Sequence, residues 1–439
     1  MLLPLGEALE KKLRDSGQER AIGIEERALL AAIEMAHNGV PVDKEQWLTI
    51  VEKAGERLGE LLATLDGLVG NPPEEVRERN AKNKNVPAGR KDKWNWDSPE
   101  QIKAAAATVG PSITKTSMDC LRLVDHDLAR ALLSYREAKG GLATFGEKFF
   151  EPTEDGREVY LDGRLYPSWG MCNADTGRMS CSSPNVQNVP NKSRLGGLRG
   201  CVAAPEDRLL VKADYSQIEL RIVAKVAGED AILEAYRNGE DLHARTASSI
   251  TGRAKVTGED RQLAKAVNFG LLYGQGAQGL HNYARDKYGV DMTLEEATEY
   301  RQRWFAAYPA IRAWHLREGA GFDSGEDSAS TLAGRLRRVS SFMERVNHPV
   351  QGTGADGLKL AMALFHERLP AYLDAKLVLA VHDELVVECP DGQAEEAAGF
   401  LKEVMVEGMD EVLNPGLDAD HPDRVPVEVD VEVVESWGG

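Results

Sequence analysis

The stretch Leu209-Leu210-Val211-Lys212-Ala213-Asp214-Tyr215-Ser216-Gln217-Ile218-Glu219-Leu220-Arg221 changes period partway. Its first residues form a short, largely apolar run suited to a strand, whereas Ile218, Ile222, Val223 and Val226 recur at helical spacing on one side. The switch places Asp214 at the end of a strand, just before a helix. Two roles fit a carboxylate there. It can cap the following helix, because Asp accepts hydrogen bonds from the first free amides. It can instead stand at the rim of a sheet, exposed enough to hold a divalent cation and aimed by the rigid elements behind it.

A second stretch bears on that choice. In Lys376-Leu377-Val378-Leu379-Ala380-Val381-His382-Asp383-Glu384-Leu385-Val386-Val387-Glu388, two β-rich apolar runs flank an acidic tip, which reads as a hairpin. Two Asp-bearing sheet edges are the minimum for two-metal phosphoryl transfer, where cations about 3.5–4 Å apart share carboxylate ligands. Asp214 and Asp383 are distant in the chain, and only a fold can bring them together.

Between them, Thr257 with Asp260 three residues on is a capping-box spacing that opens a helix. Arg261, Lys265, Phe269 and Tyr273 recur every four residues along it, so they share one face about 18 Å long. Two cations followed by two aromatic rings suit a nucleoside triphosphate, with charge for phosphates and flat surfaces for sugar and base. The same pattern also fits an amphipathic helix whose rings pack in a core while its cations are solvated.

Composition limits the classes. With 439 residues, 42% hydrophobic and 28% charged, the chain can build two or three packed units of a globular protein. No apolar run approaches the ~20 residues that span a bilayer, and residues 1–20 carry charges where a signal peptide needs an apolar core. A cytoplasmic protein without membrane partners is expected. Cys120, Cys172, Cys181, Cys201 and Cys389 form no CxxC pair, which argues for reduced thiols over zinc or disulfides. A net charge of −18 excludes a general nucleic-acid coat but not a local basic groove.

Asp214-Tyr215-Ser216-Gln217-Ile218-Glu219-Leu220-Arg221 and Val381-His382-Asp383-Glu384 resemble the two palm motifs of family A DNA polymerases. Arg261 to Gly274 is similar to the fingers helix of that family, Arg-x-x-x-Lys-x-x-x-Phe-Gly-x-x-Tyr-Gly. The matches fall in the family's order from about Glu25 to Trp437. The resemblance implies an α+β right-hand polymerase fold, with an antiparallel palm sheet and mainly helical thumb and fingers. It implies an N-terminal extension over 1–23, N-terminal helices and thumb over 24–165, palm over 166–230, fingers over 231–338 and palm again over 339–439. It further implies a DNA-directed DNA polymerase of replication or repair, working as a monomer on primer-template DNA and deoxynucleoside triphosphates.

Residue by residue, the resemblance makes Asp214, Asp383 and the carbonyl of Tyr215 ligands of two Mg²⁺ ions, with Mn²⁺ as a substitute. Arg261 and Lys265 would bind the triphosphate, and Lys265 would protonate the leaving pyrophosphate. Phe269 would stack near sugar and base, and Tyr273 would sit by the templating base. His243 would add a phosphate contact, and Gln217 belongs to the same nucleotide site. Glu219 with Tyr273 would block a ribose 2′-OH, and Phe at 269 implies discrimination against dideoxynucleotides. Arg178, Gln187, Asn188, Asn347, Gln351 and His382 would face the primer-template, with Lys192 and Arg199 on its backbone. Gly270 and Gly274 weaken the fingers helix by up to about 1 kcal/mol each, which fits a hinge.

The remaining segments are read from their residues. Residues 25–38 form a helix ending at Gly39, and residues 44–68 form a second. The basic stretch Arg77 to Trp96 is either a solvated loop or a thumb tip gripping duplex backbone, and a further helix spans 121–145. Residues 345–364 begin as a loop and become a helix. Arg345 stands two residues before Asn347 where many relatives place an Arg four before, so its role is open. Residues 425–433 alternate as an edge strand. No Asp-x-Glu strand precedes residue 25, which implies that this chain lacks proofreading. A single-subunit RNA polymerase and a non-catalytic DNA-binding module remain the alternatives.

Overall fold

The computed structural model describes residues 2–191 and 195–439. Lys192 lies outside the described residues. The expected strand and helix form as Arg208–Tyr215 and Ile218–Ala227. The strand sits inside a four-stranded antiparallel sheet in the order Val429–Val434, Arg208–Tyr215, Glu384–Pro390, Lys376–Val381. The last two strands are the expected hairpin, and Val429–Val434 is an edge. Register places Asp214 opposite Glu384 on one side and Asp430 on the other. The fold therefore gathers acids at one rim of the sheet.

Two helices, Phe342–Arg368 and Ala394–Leu413, back this sheet and cross closely. A Cβ on Gly408 would stand 2.5 Å from the Ala361 amide nitrogen, and one on Gly357 would stand 2.5 Å from Met409. At 408, where the neighbour is backbone, only glycine permits that approach. The first of these helices corrects the expectation of a loop over its early residues, because it runs unbroken through Pro349. Proline costs an interior helix one hydrogen bond and a steric clash. Here burial of Val346, His348, Val350, Thr353 and nearly every later position outweighs that local cost.

The Glu19–Asn38 helix packs on the same layer, burying Ala28, Ala31, Ala32 and Met35. Helices from Asp230 to Asp323 share one continuous apolar cluster with the sheet, through Leu233, Ala247, Val267, Trp304 and Trp314. A separate cluster holds residues 61–138 together, around Leu65, Trp94, Trp96, Ile102 and Leu132. The expected 121–145 helix is divided there into Met118–Arg122 and Asp127–Phe145. His126 breaks the run by capping the second helix, its Nδ1 accepting from the Leu128 amide.

The basic stretch is partly structural. Residues Glu74–Lys82 are helical, Arg90 clasps Asp66 through two hydrogen bonds, and Trp96 Nε1 donates to the same Asp66. Arg77, Lys82 and Lys84 remain exposed. Among the described residues no helix is long and apolar enough to cross a membrane. All five cysteines are free, with Cys181, Cys201 and Cys389 buried.

Candidate active site

Asp214 does not cap the helix that follows it. Gln217 occupies that position in the left-handed region, with φ 51°, and makes no side-chain cap. The tight turn leaves the Asp214 carboxylate at the sheet rim. His382, also left-handed with φ 56°, turns the hairpin and delivers Asp383 to the same rim. The Tyr215 amide donates to the Asp383 carbonyl at 3.3 Å, tying the two motifs together, while the Tyr215 hydroxyl is buried on the Met405 carbonyl at 2.7 Å.

Crowding raises both acids. Asp214 keeps solvent contact on one edge, yet desolvation and then the charge of Asp383 push it up to about 7. Desolvation and then Glu219 push Asp383 up to about 6. Among the described residues no group of three or more His, Cys, Asp or Glu side chains forms a ready cation cage. Two carboxylates raised by burial and mutual charge suit a cation that keeps water and substrate phosphates among its ligands, as Mg²⁺ does. They do not suit one enclosed wholly by protein.

A cavity of about 270 Å³ opens beside the rim, lined by Arg178, Gln217, Ile218, Glu219, Phe269, His382 and Asp383. The structure thus gathers residues from four separate segments, all but Ile218 singled out in the sequence. Arg178 Nη2 bridges to Glu219 Oε1 at 2.9 Å. The Tyr273 hydroxyl is buried beside Glu219 and Gln351 without a hydrogen bond of normal geometry to either. Burial and then the Glu219 charge hold that phenol well above its ordinary value. Asn347 and Gln351 are half-buried on one face of a helix otherwise packed nearly all round.

The capping box of Thr257 and Asp260 starts the Gly258–Leu272 helix as expected. Arg261 is exposed on it, and Lys265, Phe269 and Tyr273 are half-buried along the same face. Gly270 and Gly274 also meet close packing. Gly274 turns the chain at φ 77° with Phe342 beneath it, and a Cβ on Gly270 would meet Leu280 at 2.8 Å. His243 is buried, and burial followed by the Arg261 charge lowers it to about 4. The ring is therefore neutral near pH 7 and offers a hydrogen bond, not a charge, to any anion.

Other expected residues serve the fold in this state. Arg199 stacks on the Trp437 ring at 3.8 Å and donates to the Val189 carbonyl. Gln187 donates to the Ala380 carbonyl at 2.9 Å, whereas Asn188 is exposed. Glu384 is held by the Trp437 indole. Arg345 is buried between Glu318 and Glu326 and donates to the Glu326 and Ser328 carbonyls, which makes it structural. Sequence reasoning missed Asp241, which caps the Leu242–Thr251 helix with one oxygen and accepts from Arg261 Nε at 2.6 Å with the other. Its place before a helix signalled the cap; nothing local signalled the arginine.

Residues 76–439 match the family model described as DNA polymerase family A. The chain belongs to DNA polymerase family A. Its fold is accordingly the α+β right-hand polymerase fold. DNA polymerase I of Aquifex aeolicus is 41% identical over 295 residues, covering 66% of this chain and 49% of that protein. DNA polymerase I of Deinococcus radiodurans is 32% identical over 419 residues, covering 92% and 41%. The chain thus spans less than half the length of these curated relatives. Among solved structures, the POL domain of Pol1 from M. smegmatis, in complex with DNA primer-template and dNTP, superposes with a TM-score of 0.81. That match is 26% identical and covers 99% of this family A chain and 74% of the other.

Proposed function

We propose that this chain is a DNA-directed DNA polymerase that extends a primer 3′-OH with deoxynucleoside triphosphates and releases pyrophosphate, acting as a monomer inside the cell. The observation that carries the reading is the cavity joining Asp383, Glu219, Phe269 and Arg178 beside Asp214. Residues 24–165 form the N-terminal helices and thumb, with 1–23 as an extension. Residues 166–230 and 339–439 form the palm, and 231–338 form the fingers.

Asp214, Asp383 and the Tyr215 carbonyl would hold two Mg²⁺ ions, for which Mn²⁺ substitutes. When bound, such ions lower the pKa of the 3′-OH and neutralise triphosphate charge. Arg261 and Lys265 bind the phosphates, and Lys265 supplies a proton to pyrophosphate. His243 donates a neutral hydrogen bond to the same group. Phe269 and Tyr273 flank sugar and base, Gln217 lines the pocket floor, and Glu219 excludes a 2′-OH. Arg178, Asn347 and Gln351 face the minor groove at the primer end, where acceptors occur at every base pair and geometry is sensed without reading sequence. Asn188 and His382 touch the primer-template from its margins.

The test is extension of a primed template with Mg²⁺ and deoxynucleotides by wild type and Asp383→Ala. Growth in the first and its loss in the second supports the reading. A folded wild-type protein that binds DNA without extending it would overturn it.

A further inference from the structure

Beyond its first turn, where the capping Asp260 is buried, the Gly258–Leu272 helix buries one polar residue, Asn268, which is 1% exposed. A buried amide must spend each donor and acceptor on a partner. Asn268 Oδ1 lies 2.7 Å from Trp304 Nε1. An indole N–H can only donate, so the amide atom facing it must be the oxygen. The amide nitrogen therefore faces the other way, 3.0 Å from His243 Nδ1 and 3.2 Å from Thr246 Oγ1. That NH₂ group has two hydrogens to give and accepts none.

The order of protons follows through the cluster. Thr246 Oγ1 donates to the Leu242 carbonyl at 2.8 Å and lies 2.6 Å from the Tyr308 hydroxyl, which then donates to it. Its two lone pairs take Tyr308 and Asn268. His243 Nδ1, facing an amide hydrogen, accepts and bears no proton. A neutral ring so held carries its proton on Nε2. Protonating Nδ1 would set two donors against each other in a dry site, at the cost of an unmade hydrogen bond on each.

We infer that Asn268, aimed by Trp304, is a positioning residue that fixes His243 as the tautomer with its proton on Nε2. The inference rests on the reading of His243 as a phosphate contact. Phosphate oxygens only accept, so a ring with Nε2–H attracts them, whereas the other tautomer would turn a lone pair toward an anion. The ring stands within the field of Arg261 and Lys265 on the Gly258–Leu272 helix and of Asp241 at the head of its own. A neutral donor there binds phosphate without adding a third positive charge to the site.

The experiment is a long-range ¹H–¹⁵N correlation of the whole chain with labelled histidine, without nucleotide, with the His243 signals assigned by their loss in His243→Gln. Wild type is expected to show Nε2 protonated and Nδ1 bare. In Asn268→Asp the carboxylate demands a proton on Nδ1, and the pattern should invert or become that of imidazolium. In Trp304→Phe the amide loses its anchor, and both tautomers should appear. Where Asn268→Asp inverts the tautomer, Nε2 loses its proton and the KM for the incoming nucleotide should rise about tenfold, with kcat changed less than about twofold, the size of one hydrogen bond; where it gives imidazolium, which keeps Nε2–H, the KM should not rise. Wild-type His243 protonated on Nδ1, or both variants keeping the wild-type pattern, would overturn the inference. The expected tautomer in a chain that extends no primer would overturn the polymerase reading and leave the positioning of the ring by Asn268 standing.

Discussion

Arg178 and Glu219 face each other across the cavity beside Asp383, Nη2 to Oε1 at 2.9 Å, and both side chains are largely shielded from solvent. Each is assigned to a different substrate, the arginine to the duplex and the glutamate to the sugar of the nucleotide. On the proposed function, their pairing is the contact that substrates would exchange for their own. Glu219→Ala removes both the pair and the carboxylate beside Tyr273. The variant should incorporate ribonucleotides at least about tenfold better relative to deoxynucleotides. Matched kcat/KM measurements with both sugars check this, and an unchanged ratio would remove Glu219 from sugar selection.

Asp214 and Asp383, at about 7 and about 6, hold protons in the fold that the unfolded chain releases near the ordinary carboxylate value. Folding then binds protons, and stability falls as pH rises from about 4 to about 7. Asp214→Asn and Asp383→Asn remove that penalty. Each should melt about 2 °C above wild type at pH 8 in chelator, with the gap closing toward pH 4. Each should also lose activity on the order of a thousandfold. Melting curves across pH separate this outcome from simple damage to the fold, which would lower the melting temperature throughout.

Asp241 holds Arg261 at 2.6 Å while capping a helix, and both side chains are substantially exposed. Asparagine caps as well as aspartate but cannot form the ion pair. Asp241→Asn should leave stability within about 0.5 kcal/mol, because exposed pairs contribute little. Freed from its competitor, Arg261 should bind triphosphate more tightly, with KM falling by about two- to fivefold. A KM that rises would show that Asp241 orients the arginine instead of restraining it.

Gly408 lies where the two helices behind the palm sheet touch. Its Cβ would stand 2.5 Å from the Ala361 nitrogen, and backbone cannot move aside as a side chain can. Gly408→Ala should destabilise the chain by about 2 kcal/mol despite its better helix propensity. Denaturant unfolding would register the loss, and a neutral or stabilised variant would mean that the helices separate freely.

What could be read from the chain alone was set by local rules. The change of period at Asp214 placed a strand end before a helix, and two β-rich apolar runs around His382 placed a hairpin tip. The spacing of Thr257 and Asp260 placed a helix start, and the four-residue recurrence after it placed one face. Those signals depend on neighbours within a turn or a strand, so they survive without the fold. They also carried the resemblance to family A polymerases.

Local rules failed where distant packing decided. Residues from 345 on read as a loop before a helix, and burial of most of its positions kept the helix whole from Phe342. Charge left the stretch near residue 90 as either a solvated loop or a duplex-gripping tip, and Asp66 drew Arg90 and Trp96 into contact with a core. The meeting of Asp214 with Asp383, the orientation of Asn268 between Trp304 and His243, and the hold of Asp241 on Arg261 join segments far apart in sequence. No periodicity encodes such pairs, because a hydrogen bond or an ion pair depends on distance in space. The sequence by itself determined which residue types the site would use and on which elements they ride; the tertiary structure alone decided which of them touch.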